Sequence, residues 1–135
     1  MRLDVNDHAT GFLKFIEVAQ ARRVGGLLQR GAKGRDKLRT MMAHGIKLEM
    51  KYARCFPDGP KYAKLICSAL LLESAPPLAF VISEDSKLDG RVLPLPEVLK
   101  TCVGSGFGSF ISCVPGKLGY FELKDRGEQY LLRRA

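Results

Sequence analysis

The stretch "LLQRGAKGRDKLR", Leu27 to Arg39, places five cationic side chains in thirteen positions around a GxxG, Gly31-Ala32-Lys33-Gly34. Such a segment has the chemistry to hold an anion. Glycines let backbone amides come close to phosphate oxygens, neighbouring cations neutralise charge, and a helix starting near Arg35 would add its positive N-terminal end. The competing reading is that two glycines separate helices while exposed lysines and arginines keep the surface soluble. On the first reading the binding residues are Arg30, Gly31, Lys33, Gly34, Arg35, Lys37 and Arg39, with Arg22 and Arg23 at the end of the preceding helix.

The net charge of +8 gives this segment its context. Residues 1 to 64 carry 14 Lys/Arg against 6 Asp/Glu, and residues 65 to 135 carry 8 against 8, so the whole excess lies in the first half. A clustered positive field raises the local concentration of a polyanion and gains from counterion release, which points to nucleic acid or another polyanion as partner.

The other chemistry-bearing groups converge less well. In "SEDSKLDGR", Glu84, Asp85 and Asp89 are close enough in sequence to suggest a hard cation, but an EF-hand loop counted from Asp85 has Lys87 at its third position and Pro96 at its twelfth. A polar hairpin loop is the expectation there. Glu122-Leu123-Lys124 fits the ExK half of a metal-dependent nuclease, yet no acid in the preceding strand would complete the site. Alternation of Tyr120, Glu122 and Lys124 is what a half-exposed strand gives. "VGSGFGSF" follows a helix and opens a strand, the reverse of a dinucleotide fingerprint. No GxSxG elbow occurs, and neither His8 nor His44 has an identifiable acid partner. Cys55, Cys67, Cys102 and Cys113 include no CxxC pair, so reduced thiols in a cytoplasmic protein are expected, with no metal and no cofactor. The pattern is that of a binding module rather than an enzyme.

A GxxG set between two helical segments resembles the KH type of RNA-binding domain, in which such a loop joins two helices and clamps nucleic-acid backbone. On that resemblance "VGGLL" would precede the loop, "LRTMMAHG" would be the following helix and "IKLEM" the next strand. Gln29-Arg30 stand directly before the first glycine, where such domains carry an aliphatic residue. The alternative function is a regulatory or scaffolding domain acting through protein contacts, self-association or a small ligand, with exposed edges of the C-terminal sheet as its surface.

The elements that must position these groups follow from periodicity. Asp7 as N-cap and Phe12, Ile16 and Ala19 at helical spacing predict a helix over 8–22, broken by Gly25-Gly26. "RDKLRTMMAH" restores the helical pattern, and Gly45 would cap it. "PDGP" at 57–60 is a turn signal, and "KYAKLICSALLLES" reads as a buried helix. From Leu78 the period shortens: "LAFVIS" and "RVLPL" read as strands, "PEVLKTCV" as a helix with proline at its start, and "FGSFISCV", "KLGYFELK" and "EQYLLRR" as an antiparallel meander. The expected fold is α+β in a single domain, residues 1–135. A basic helical part, 1–60, would pack on an antiparallel sheet part, 61–135, with the order α-β-β-α-β-β-β from residue 61. The N-terminus lacks an apolar export core, and the longest apolar stretch, Leu65 to Ile82, is interrupted by Glu73 and Pro76-Pro77, so no membrane span is expected.

Overall fold

Alternation along the central strands decides the architecture. In strand β2 (Leu78–Ser83), Phe80 and Ile82 belong to one apolar core while Ala79 and Val81 belong to another. A strand buried on both faces needs helices on both sides of its sheet. The computed structural model, which describes residues 4–56, 62–123 and 128–134, has that arrangement.

Helices α1 (Val5–Gly11), α2 (Val18–Leu28) and α3 (Gly31–His44) cover one face, and α4 (Ala63–Leu72) and α5 (Leu95–Cys102) cover the other. Between them, β1 (Ala53–Cys55), β2, β3 (Val92–Pro94), β4 (Ser109–Val114), β5 (Leu118–Glu122) and β6 (Gln129–Arg133) form one antiparallel sheet in the order β1-β6-β5-β4-β2-β3. The first core packs Phe12, Phe15, Val24, Leu38 and Met42 onto Phe80, Phe110 and Phe121, with the Phe12 and Phe110 rings stacked at 4.5 Å. The second packs Ile66, Leu70, Val98 and Leu99 onto Val81, Ile111, Tyr120 and Leu131.

The predicted order from residue 61, α-β-β-α-β-β-β, is the order observed. The helical N-terminal half does pack on the antiparallel sheet, and it also contributes a strand: β1 pairs with β6 through Ala53 with Leu132 and Cys55 with Tyr130. No residue pattern marks Ala53–Cys55 as a strand, because its three residues are partly exposed and take their shape from the edge of β6. The "PDGP" turn at 57–60 and the "DRG" turn at 125–127 lie outside the described residues.

The predicted helix over 8–22 is replaced by two helices. Asp4, not Asp7, is the N-cap of α1, accepting the Asp7 N–H at 3.2 Å. A 3-10 turn follows at Phe12–Lys14, and Ile16 then bridges Leu48 while the Glu17 N–H donates to the Lys47 carbonyl. Phe12, Phe15 and Ile16, at i, i+3 and i+4, would share one face of a straight helix as well. All three are buried, at 0%, 0% and 3% exposure, and after the change of direction α2 adds Val24 and Leu27 to the same core. Gly25-Gly26, expected as a break, lies inside α2, where Gly25 lets the helix pass close to Leu13. The helix carries two residues of poor propensity because burial of Val24 and Leu27 outweighs about 1 kcal/mol lost at each glycine.

Candidate polyanion-binding surface

Helices α2 and α3 form a tight hairpin joined by Gln29 and Arg30. The connection needs Gly31, whose φ of +66° lies in the left-handed region that carries the chain from one helix into the next. Gly34 meets a different need. A Cβ built there would stand 2.0 Å from the Leu27 carbonyl oxygen and 2.8 Å from the Arg30 Cβ. Only a residue without a side chain lets the start of α3 lie against the end of α2. Both glycines therefore shape the hairpin, and the GxxG forms the first turn of α3 rather than a loop between helices. The "IKLEM" stretch makes a single bridge at Leu48 and a 3-10 turn from Met50, not a further strand. These two differences remove the KH likeness at the level of structure.

The close approach of the helices gathers the cations. Val24 and Leu27 of α2 and Leu38 and Met42 of α3 point into the first core. Helical spacing then sends Arg22, Arg23, Lys33 and Lys37 outward, with Arg30 at the corner, and all five are exposed. Arg22, Arg23, Arg30 and Lys37 line a cleft of about 250 Å³ floored by Gly26 and Leu27. Arg30, Lys33, Gly34 and Lys37 line an adjoining hollow of about 350 Å³. Arg30 and Lys37 thus face both. Neither lining includes an acidic side chain of the described residues. The N-cap residue of α3, Arg30, makes no side-chain hydrogen bond to the helix, and no acid stands in its first turn, so the positive end of the helix adds to the field.

Arg35 and Arg39 stand apart from this group. Arg35 grips Asp89, which is beyond β2, through Nε to Oδ2 at 2.7 Å and Nη2 to Oδ1 at 3.2 Å, and its guanidinium lies 5.8 Å from the Phe80 ring centre. Asp89 also accepts the Ser83 N–H at 3.0 Å. This pair fastens α3 to the sheet. Arg39 is paired with Asp36 and faces a shallow depression shared with Glu84 and His44, where charges of both signs meet.

The remaining candidate groups are built into the fold. In the loop from Ser83 to Arg91, Asp85 accepts the Lys87 N–H and Asp89 holds Arg35, the turn chemistry expected there. Glu122 differs from its half-exposed expectation: the whole of β5 is buried, and Glu122 is 2% exposed. Its carboxylate accepts the Gly104 N–H at 3.1 Å, the Tyr120 hydroxyl at 2.8 Å and the Gln129 side-chain amide at 3.4 Å. It anchors the glycine-rich segment between α5 and β4. The sequence signal that could have revealed this is the second helical layer itself, which leaves β5 no solvent face. Lys124 lies outside the described residues.

His8 is buried at 4% exposure, with Nδ1 2.6 Å from the Ser112 hydroxyl. Burial holds its pKa below the ordinary value of 6.5, partly opposed by the charges of Asp7 and Asp4. All four cysteines are free. Cys102 and Cys113 are buried, and burial pushes each thiol up to about 12, while Cys55 is exposed and Cys67 partly so. Among the described residues, no cluster of three or more His, Cys, Asp or Glu could hold a metal ion, and no helix is long and apolar enough to cross a membrane. No protein-family model, curated protein or solved structure matches this chain, so the site has its own chemistry alone to speak for it.

Proposed function

We propose that this chain is a small binding module for nucleic acid or another polyanion, and that the α2–α3 hairpin is its contact surface. The observation that carries the reading is the convergence of Arg22, Arg23, Arg30 and Lys37 from two helices onto one cleft whose described lining has no acid. Lys33 extends the surface along α3. Five like charges on one hairpin repel one another in the free protein. A polyanion relieves that repulsion and releases its own condensed counterions. The arrangement suits contact with phosphates rather than with base edges, because the cations come from exposed, rotatable side chains around a shallow cleft.

The residues of this reading are narrower than the charge run. Arg22, Arg23, Arg30, Lys33 and Lys37 make contacts, Gly31 and Gly34 hold the hairpin, Arg35 ties α3 to Asp89, and Arg39 is paired with Asp36 on its own helix. Recovery of the full chain from cell extract with and without nuclease tests it. Co-purifying nucleic acid that disappears on charge removal at Arg30 and Lys37 supports the reading, and clean recovery of the protein without polyanion at low salt opposes it.

A further inference from the structure

Which polyanion the hairpin suits depends on what it can do with bases. A single strand exposes the faces of its bases, and proteins that hold one stack those faces on aromatic side chains, at about 5-fold to 150-fold in affinity per base. A duplex keeps its bases stacked inside and presents phosphates to a surface that does not enter a groove. The positions of the aromatic side chains therefore separate the two.

The chain has seven phenylalanines, four tyrosines and no tryptophan, and the described residues include all of them. Seven of these rings are buried in the two cores. Of the other four, Phe56 packs against the second core and Tyr62 is the N-cap residue of α4, so both lie across the sheet from the hairpin. Tyr52 carries the Arg134 guanidinium 4.4 Å from its ring centre. Phe107 stands next to Gly108, which abuts the Met42 carbonyl toward the C-terminal end of α3. From Val18 to His44 the sequence has no Phe, Tyr or Trp, and no aromatic side chain lines the cleft or the adjoining hollow.

The cations, in turn, stand in two rows. Arg22 and Arg23 project from α2, while Lys33 and Lys37 point within about 40° of each other on α3, about 6 Å apart along its axis. Arg30 closes the corner between the rows, and Gly26 and Leu27 floor the cleft with no side-chain donor or acceptor for a base edge. A duplex has the complementary pattern, two phosphate rows bordering a groove about 6 or about 12 Å wide. Long, rotatable side chains on helices whose axes pack about 8–10 Å apart can span either.

We infer that the α2–α3 hairpin selects double-stranded over single-stranded nucleic acid, straddling one groove and gripping the phosphates on both sides without reading sequence. The inference rests on the polyanion reading above, and counterion release sets its magnitude. Five phosphate contacts give log K against log salt a slope of about −4.5 on a duplex and about −3.5 on a single strand. With phosphates the only groups held, the two affinities are level near about 1 M salt, so the duplex gains about 5-fold at about 200 mM and about 20-fold at about 50 mM. Stacking of one or two bases would cancel that gain, but the surface has no ring for them, and arginines that neutralise phosphates are not free to replace one.

Fluorescence anisotropy of the full chain with a labelled DNA strand, alone and annealed to its complement, tests the preference over about 50–200 mM salt. The duplex should bind about 20-fold more tightly at the low end and about 5-fold at the high end, with the same values for a second, unrelated sequence. Arg22→Ala with Arg23→Ala, and Lys33→Ala with Lys37→Ala, each remove one row and should each make the duplex slope shallower by about 1.8. A duplex RNA forms a further arm: affinity equal to that for duplex DNA assigns the grip to duplex phosphates of either kind, tighter binding of one names the source, and both results support the inference. Equal or tighter binding of the single strand at about 50 mM overturns it and leaves the polyanion reading intact, as does binding of heparin but of no nucleic acid. A duplex slope unmoved by loss of either row overturns it as well. Failure to bind strand, duplex and heparin alike at low salt overturns the polyanion reading, and the inference with it.

Discussion

Charge removal at Arg30 and Lys37 should change how binding responds to salt, not only how tight it is. These two residues line both cationic hollows, so they sit at the centre of the surface. If Arg22, Arg23, Arg30, Lys33 and Lys37 each neutralise one phosphate of a single strand, log K against log salt has a slope of roughly −3.5. Affinity then falls roughly 130-fold between about 50 and about 200 mM salt. Arg30→Ala with Lys37→Ala leaves three contacts, a slope of roughly −2.1 and a loss of roughly 20-fold over the same range. Fluorescence anisotropy of a labelled single-stranded RNA, titrated at several salt concentrations, measures both slopes. Arg35→Ala is the control. It breaks the ion pair with Asp89, whose side chain is 6% exposed, and should lower stability by about 2 kcal/mol while leaving the slope within experimental error. A slope unchanged by the double substitution, or one changed as much by Arg35→Ala, would refute the assignment of the surface.

Gly34→Ala should cost about 2–3 kcal/mol in urea unfolding, since its Cβ would overlap the Leu27 carbonyl oxygen and only separation of α2 from α3 can relieve it; an unchanged midpoint would contradict the packing argument. His8 has a pKa depressed by burial, so the unfolded chain binds the extra proton first: stability should be level above about pH 6.5 and fall as pH drops from there through the folded-state value. His8→Gln should flatten that part of the stability profile, measured by thermal unfolding against pH. At neutral pH a maleimide should label Cys55 readily and Cys67 more slowly in the native chain, and reach Cys102 and Cys113 only on unfolding, as peptide mass spectrometry would report.

Local signals carried much of the fold. The change of period at Leu78, the proline at the start of α5 and the short turns between apolar runs are properties of neighbouring residues, so the order α-β-β-α-β-β-β could be read directly. Gly25-Gly26 and Gly31-Gly34 could not. A glycine that breaks a helix and a glycine that lets two helices touch have the same local chemistry, and the difference lies in what stands opposite: Leu13 for Gly25, the Leu27 carbonyl for Gly34. The strand β1 was equally hidden, because it exists only where β6 offers an edge.

The candidate site divides in the same way. Sequence alone determined that the positive charge is concentrated in residues 1 to 64 and densest from Leu27 to Arg39, since charge is a sum over residue types and needs no coordinates. Only the tertiary structure decided which charges share a surface. Arg35 is two residues from Lys33 in the chain, yet helical rotation turns it toward Asp89, 54 residues away, while Arg22 and Lys37, fifteen residues apart, come to line one cleft. The physical reason is that an ion pair or a cleft depends on distances through space, which packing of α3 against both α2 and β2 sets and which no local run of residues encodes.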